Sequence, residues 1–207
     1  MMILTEELIT KRLDSHYDPQ ATPNSPYPQG YLSGEPQRAS VLIPFLQKGA
    51  DWHILFIHRT SNQNDLHSGQ VAFPGGRFDH KDRDAINTAL REAHEEIGIE
   101  PDQVKVLGKL NDFMTITNYQ VTPIIGVIPW PIPLKLQIEE VKRVFTIPLD
   151  WLANENHFGI KERKIKNFFP LPVIYYEMYE NEILWGASAR IMLYLLFVLD
   201  LLPHAYL

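Results

Sequence analysis

The chain has 207 residues, 45% of them hydrophobic and 21% charged, enough for one globular domain with a sizeable core. Lys and Arg number 19 against 25 Asp and Glu, a formal net charge of -6, so no general basic field exists to hold a polyanion and no nucleic acid is expected as a partner. The absence of cysteine excludes disulfides, thiolate metal sites and cysteine nucleophiles; any metal must sit on oxygen or histidine nitrogen, which makes hard divalent cations the default.

Ile3 to Leu13 reads as a short amphipathic helix, in which Glu6 and Glu7 interrupt the apolar run a secretory signal needs, so the chain is expected to be cytoplasmic. Tyr17 to Pro36 carries Pro19, Pro23, Pro26, Pro28 and Pro36 and is expected to be an extended arm, which makes residues 1–38 a helix and arm ahead of a compact domain over 39–207. Two β-branched and aromatic runs, SVLIPFL from Ser40 and WHILFIH from Trp52, read as strands about a turn at Lys48 to Asp51. Gln70 to Phe73 is a further short strand, closed by a tight turn at Pro74-Gly75-Gly76.

From Arg83 to Ile97 the apolar residues Ala85, Ile86, Ala89, Leu90, Ala93 and Ile97 recur at helical spacing, and Gly98 stops the helix. Val104 to Leu110, Val121 to Ile128 and Val144 to Ile147 are expected strands, Pro148 to Leu152 a helical turn and Leu171 to Tyr176 a strand. Trp185 to Leu202 is the closing helix. Its most apolar part, from Ile191, contains Asp200 and falls short of the roughly 20 residues that span a bilayer, so it reads as buried and no membrane partner is expected. The irregular alternation of strands and helices supports α/β or α+β with a mixed sheet.

The helix before Gly98 carries the chemistry. Glu92, Glu95 and Glu96 stand at i, i+3 and i+4 and are expected to share one stripe away from the apolar one. Stacked carboxylates repel unless cations sit among them, and Mg2+ or Mn2+, which favour oxygen ligands, suit such a stripe facing a phosphate. Three glutamates on an exposed helix face are, taken alone, usually just a solvated surface. The strand and glycine turn that precede the helix favour a site, since glycine lets backbone approach a phosphate closely.

Arg91-Glu92-Ala93-His94-Glu95-Glu96-Ile97-Gly98-Ile99 resembles the second half of the Nudix box, Gx5Ex7REUxEExGU, where U is a bulky aliphatic residue. In the first half, 14 residues rather than the pattern's 13 separate Gly76 from Arg91; Arg83 stands where the pattern has glutamate, with Asp82 beside it able to take part of that role. The extra residue and the aspartates of GGRFDHKDRD are similar to the coenzyme A pyrophosphatase branch of the Nudix family. So are LFIHRT with LHSGQVAFPGG upstream and LGKLNDFMTITNYQVTPIIGVI, EEVKRVFTIPLDWL and ILWGASARIMLYLL downstream, which together cover Ala39 to Leu202. Ser61 to Asp65 lacks the basic residue usual in that branch, so one phosphate contact is missing there.

The resemblance implies a Nudix-type α/β/α sandwich with a central mixed sheet. It further implies that Glu92 and Glu96 are metal ligands, with Glu95 a third ligand or a proton acceptor, and that Arg91 orients a glutamate. The general base comes from the helix or a later loop, which leaves Glu95 and Glu140, the helix residue being preferred. Gly75 and Gly76 would line the phosphate site, and Arg59 pairs either with a phosphate or with a surface acid. Tyr119, Phe113 and Trp185 are candidates to stack on adenine or to fill the core; His67 reads as structural, and Ser188 has no histidine–acid arrangement to make it a nucleophile.

The expected activity is hydrolysis of the pyrophosphate of coenzyme A or acyl-CoA to 3',5'-ADP and 4'-phosphopantetheine or its acyl form, with Mg2+ or Mn2+. The partner is then a small-molecule nucleotide, and a homodimer is left open. The alternatives are the same chemistry on ADP-ribose, NADH or another nucleoside diphosphate derivative, and a non-catalytic nucleotide-sensing domain.

Overall fold

Two adjacent runs with alternating apolar residues decide which face of the sheet covers what. The structure is a computed structural model that describes residues 4–28, 30–60, 69–163 and 170–203. Strand β1 (Gln37–Lys48) sends Leu42 and Leu46 to one face and Ile43 and Phe45 to the other; in β2 (Asp51–Arg59), Leu55 and Ile57 take the first face and Ile54 and Phe56 the second. Side chains alternate along a strand, so a run apolar at every position is buried on both sides.

Around these strands lie β3 (Val71–Ala72), β4 (Gly75–Arg77), β5 (Lys105–Lys109), β6 (Phe113–Met114), β7 (Tyr119–Val127) and β8 (Val141–Pro148), in an eight-stranded sheet whose main path is β3-β2-β1-β7-β5. β1 and β7 pair in parallel and the other ladders are antiparallel, so the sheet is mixed. Helix α2 (Ala85–Ile97) covers one face through Ala89, Ala93 and Ile97. Helices α1 (Glu6–His16) and α4 (Gly186–Val198) cover the other, together with the short α3 (Leu149–Leu152) and a separate antiparallel hairpin of β9 (Phe158–Arg163) and β10 (Leu171–Tyr176). This is an α/β/α sandwich about a mixed sheet.

Local chemistry explains the helix ends. Asp84 caps α2 by accepting from the Asn87 N–H at 2.8 Å, and Gly98 closes it at φ 74°, a left-handed position that favours glycine. Thr5 caps α1, which therefore begins at Glu6 and runs to His16 rather than spanning Ile3 to Leu13. The closing helix is shorter than the apolar run predicts, ending at Val198, because Asp200 turns left-handed (φ 48°) and is drawn to Arg12 of α1 at 2.9 Å.

Three elements differ from the expected pattern. Gly75 and Gly76 extend into β4 rather than forming a tight turn, because a Cβ at Gly75 would overlap the Ser40 carbonyl and Val41; only glycine lets this segment lie against β1. β6 is held by two pairs with β7. β9 is exposed along almost its whole length and so lacks a burial alternation. The segment from Tyr17 to Pro36 holds no helix among its described residues and lies on the domain, with Asn24 bridging Phe113 through Met114 N–H to Asn24 O at 2.8 Å. Ile9 and Leu13 of α1 are buried in the same core as the sheet.

Candidate active site

Helix α2 and strand β4 meet over two carboxylates. Glu96 is 2% exposed; its Oε2 accepts from the Gly75 N–H at 2.9 Å and its Oε1 from Arg59 Nη1 at 3.1 Å. Arg59 stands at the end of β2 and Gly75 in β4, so with α2 three chain-distant segments converge on one side chain. Glu92, one turn earlier, lies against Gly76, where a Cβ would overlap its carboxylate; the second glycine of the pair makes room for an acid.

The expectation that the three glutamates share one stripe away from the apolar one is corrected by this geometry. Glu96 lies beside Ala93 and Ile97 on the buried side of α2, Glu92 is largely covered, and only Glu95, 57% exposed, faces solvent. At ~100° per residue an i+3 step falls about 60° short of a full turn and an i+4 step passes it by about 40°, so Glu96 lies closer to the line of Glu92 than Glu95, which is turned outward.

Burial pushes the Glu96 carboxyl up to about 8; the Gly75 N–H and Arg59 oppose the shift, and the negative charges of Glu92 and Glu140 add to it. Desolvation thus outweighs a direct guanidinium contact. Glu92 is also raised by burial, eased by Arg91 and reinforced by Glu95 and Glu140. Glu140 therefore lies within electrostatic reach of both helix carboxylates. Its loop is tied to them: Gln137 N–H donates to the Glu96 carbonyl at 2.9 Å, Glu140 N–H to Gln137 O at 2.9 Å, and Thr60 N–H to Glu140 O at 2.7 Å.

Arg91 organises the other side of α2. Its Nε and Nη2 donate to Asp82 at 3.0 Å each, Nη2 also to the Arg77 carbonyl at 2.9 Å, and Nη1 lies 2.9 Å from Glu92 and 3.0 Å from Glu95. Hydrogen bonding to Arg91 holds the Asp82 carboxyl down at about 2. Asp82, next to the position where the Nudix pattern carries its first glutamate, thus binds the arginine.

A cleft of about 670 Å³ opens beside Gly75 and Gly76. Arg59, Tyr119, Trp185 and Ser188 line it, whereas Phe113 is fully buried in the core. His67 and the segment Ser61 to Asp65 lie outside the described residues. Arg77 and Thr115 also line the cleft and were not singled out by sequence; an arginine after a glycine pair reads as an ordinary surface cation until β4 is known to run beside β1.

Among the described residues no group of three or more carboxylates or histidines is assembled closely enough to hold a metal ion as it stands. The donors nevertheless fit a hard divalent cation: Glu92 and Glu96 offer oxygen, both bear the cost of burial and like charge, and a dication beside them would remove it.

The family model for the NUDIX domain matches residues 36–170. The uncharacterized Nudix hydrolase NudL of Yersinia pestis (strain Pestoides F) is 39% identical over 168 residues, covering 80% of this chain and 81% of the relative, and NudL of Yersinia pseudotuberculosis (serotype O:1b, strain IP 31758) matches to the same extent. Among solved structures, the Nudix hydrolase RenU of M. smegmatis is 21% identical, covers 58% of this chain and 76% of that one, and has a TM-score of 0.48. The C. elegans Ap4A hydrolase in a binary complex is 17% identical, with 55% and 81% covered and a TM-score of 0.46. On the family match and the extent of these relatives, the chain belongs to the Nudix family and is a pyrophosphohydrolase acting on phosphoric anhydrides.

Proposed function

We propose that this chain hydrolyses the pyrophosphate of coenzyme A or acyl-CoA to 3',5'-ADP and 4'-phosphopantetheine or its acyl form. The observation that carries the chemistry is the placement of Glu92 and Glu96 against the glycine pair that borders the cleft, with the charge of Glu140 bearing on both. The substrate assignment is supported by the sequence elements around the box, from Leu55 to Gly76 and from Leu107 to Leu196.

Nudix hydrolases use divalent cations, and Glu92 and Glu96 are the residues we assign to hold Mg2+ or Mn2+. Such an ion, when bound, neutralises the negative oxygens that repel an attacking nucleophile and acidifies a water. Gly75 and Gly76, without side chains, let β4 lie against β1 and leave room for the Glu92 carboxylate beside the cleft. Arg91, anchored by Asp82, fixes the rotamer of Glu92. Arg59 holds Glu96. The water's oxygen attacks one phosphorus, its proton passes to a carboxylate, and the bridging oxygen leaves with the other phosphate.

Glu140 is better placed than Glu95 to take that proton. Glu95 is engaged by Arg91 at 3.0 Å and lies on the outer side of α2, whereas the charge of Glu140 is felt by both buried glutamates. A carboxylate bound to a guanidinium has its lone pairs occupied. On this reading the loop residue is assigned the role for which the sequence favoured the helix residue.

Purified protein incubated separately with coenzyme A, ADP-ribose and NADH, with Mg2+ or Mn2+ and with chelator, tests the assignment by chromatography of the products. Metal-dependent 3',5'-ADP mainly from coenzyme A is expected. Hydrolysis confined to ADP-ribose or NADH would keep the chemistry and remove the substrate, and binding without turnover would turn the reading to a nucleotide sensor.

A further inference from the structure

The cleft holds a positive charge that the anhydride chemistry does not use. In β4 the Cβ position of Gly76 faces Glu92, so the next residue, Arg77, projects to the opposite side of the strand, away from α2. Its guanidinium lies over the Tyr119 ring, 5.3 Å from the centroid, and both residues line the cleft. The backbone beneath is fixed: Arg77 pairs with Ala39 of β1, and its carbonyl accepts from Arg91 at 2.9 Å. Arg59, the other cleft arginine, is bonded to Glu96, whereas Arg77 stands in no ion pair among the described residues.

The rest of the lining has the same preference. Although the chain carries a net charge of -6, no Asp or Glu is among the described residues that line the cleft, and hydroxyl donors are supplied by Thr115 and Ser188. Ser188 belongs to the first turn of α4, where the N-cap residue Trp185 offers no side-chain acceptor, so the N–H groups of that turn add to the positive potential around Arg77.

We propose that this part of the cleft is an anion subsite distinct from the position of the hydrolysed anhydride, in which Arg77, laid on Tyr119, binds a phosphomonoester carried on the nucleoside of the substrate. The inference rests on the proposed function only in placing the anhydride at Glu92 and Glu96. It narrows the substrate class to nucleoside diphosphate derivatives with an additional phosphate on the ribose, a group that coenzyme A has at the 3' position and that ADP-ribose and NADH lack. Stacking on an aromatic ring keeps the planar guanidinium extended without neutralising it, which leaves its N–H fork free for two phosphate oxygens.

Calorimetric titration of the full chain, without metal, with adenosine 3',5'-bisphosphate and with 5'-AMP separates this subsite from turnover. The wild-type chain is expected to bind the bisphosphate about 10- to 100-fold more tightly, as a charge-assisted contact implies. Arg77→Gln should bring that ratio close to one, and Arg77→Lys, which keeps the charge but not the fork, should retain part of it. Equal affinity of the wild-type chain for the two nucleotides, binding of neither, or an unchanged ratio in Arg77→Gln overturns the proposal. Failure of the coenzyme A assignment reads out differently: a chain that discriminates the bisphosphate but leaves coenzyme A uncleaved keeps the subsite and loses the substrate.

Discussion

Arg91 and Asp82 face each other as a fork, Nε to Oδ1 and Nη2 to Oδ2, each at 3.0 Å. Asp82 is itself held by the Asp79 N–H and the Thr88 hydroxyl, each at 2.9 Å, so the loop that carries one residue more than the Nudix pattern is pinned to α2. The free end of the guanidinium reaches Glu92 and Glu95. A loop acid therefore governs, through one arginine, the orientation of an assigned metal ligand.

Asp82→Asn should lower stability at neutral pH by about 1–2 kcal/mol, the scale of a pKa displaced from 3.8 to about 2 on a group lying just under the surface. Because the folded-state value is depressed, the contribution is full above pH 4 or so and is lost as pH falls toward about 2. Denaturant titrations from pH 7 down to pH 2 should show wild type and variant converging on the acid side. A constant difference across that range would mean that the carboxylate charge is not what stabilises the fork.

Glu140→Gln and Glu95→Gln separate the two candidate bases. Loss of a general base costs roughly 10²- to 10⁴-fold in kcat, and that loss is expected in Glu140→Gln. Glu95→Gln, which gives up only an exposed contact with Arg91, should fall by less than about tenfold, since such a pair contributes little. Steady-state kinetics at saturating metal decide between them, and the reverse order returns the role to the helix.

Gly76→Ala places a methyl group in the Glu92 carboxylate. Displacing an assigned ligand by even 1 Å is expected to cost roughly 10²-fold in turnover. Circular dichroism should remain that of the wild type, because the methyl group meets a side-chain end and not the backbone. Wild-type turnover in this variant would show that Glu92 need not stay where it lies.

Leu13→Ala tests whether α1 belongs to the domain core. Leu13 is buried among sheet and α4 residues and lies against Gly108, so its truncation should cost about 2–5 kcal/mol in chemical denaturation. A cost below about 1 kcal/mol, typical of a surface change, would mean that the N-terminal helix is only loosely applied.

How much of this was legible in the sequence follows from where each signal lies. Strands β1 and β2 announce themselves through unbroken β-branched and aromatic runs, and α2 through its periodicity together with Asp84 and Gly98 at its ends. β4 was hidden because glycine has no strand propensity and is there for close packing on β1; β9 was hidden because its residues are exposed on both faces. Within the site, the glutamates and the glycine pair could be read as a motif. The burial of Glu96 could not, since it depends on Arg59 and Gly75 arriving from other strands, and neither could the Arg77–Tyr119 contact, which needs β4 and β7 paired on either side of β1.

The central claim is that the buried carboxylates of α2 hold a divalent cation that drives anhydride hydrolysis. The most direct test is the initial rate of 3',5'-ADP release from coenzyme A as Mg2+ is titrated, run side by side on the wild-type chain and Glu96→Gln. A saturable metal requirement in the wild type, with a rate lower by about 10³-fold or more in the folded variant, is the predicted result. Hydrolysis that persists in chelator, or a variant that works at the wild-type rate, would contradict it.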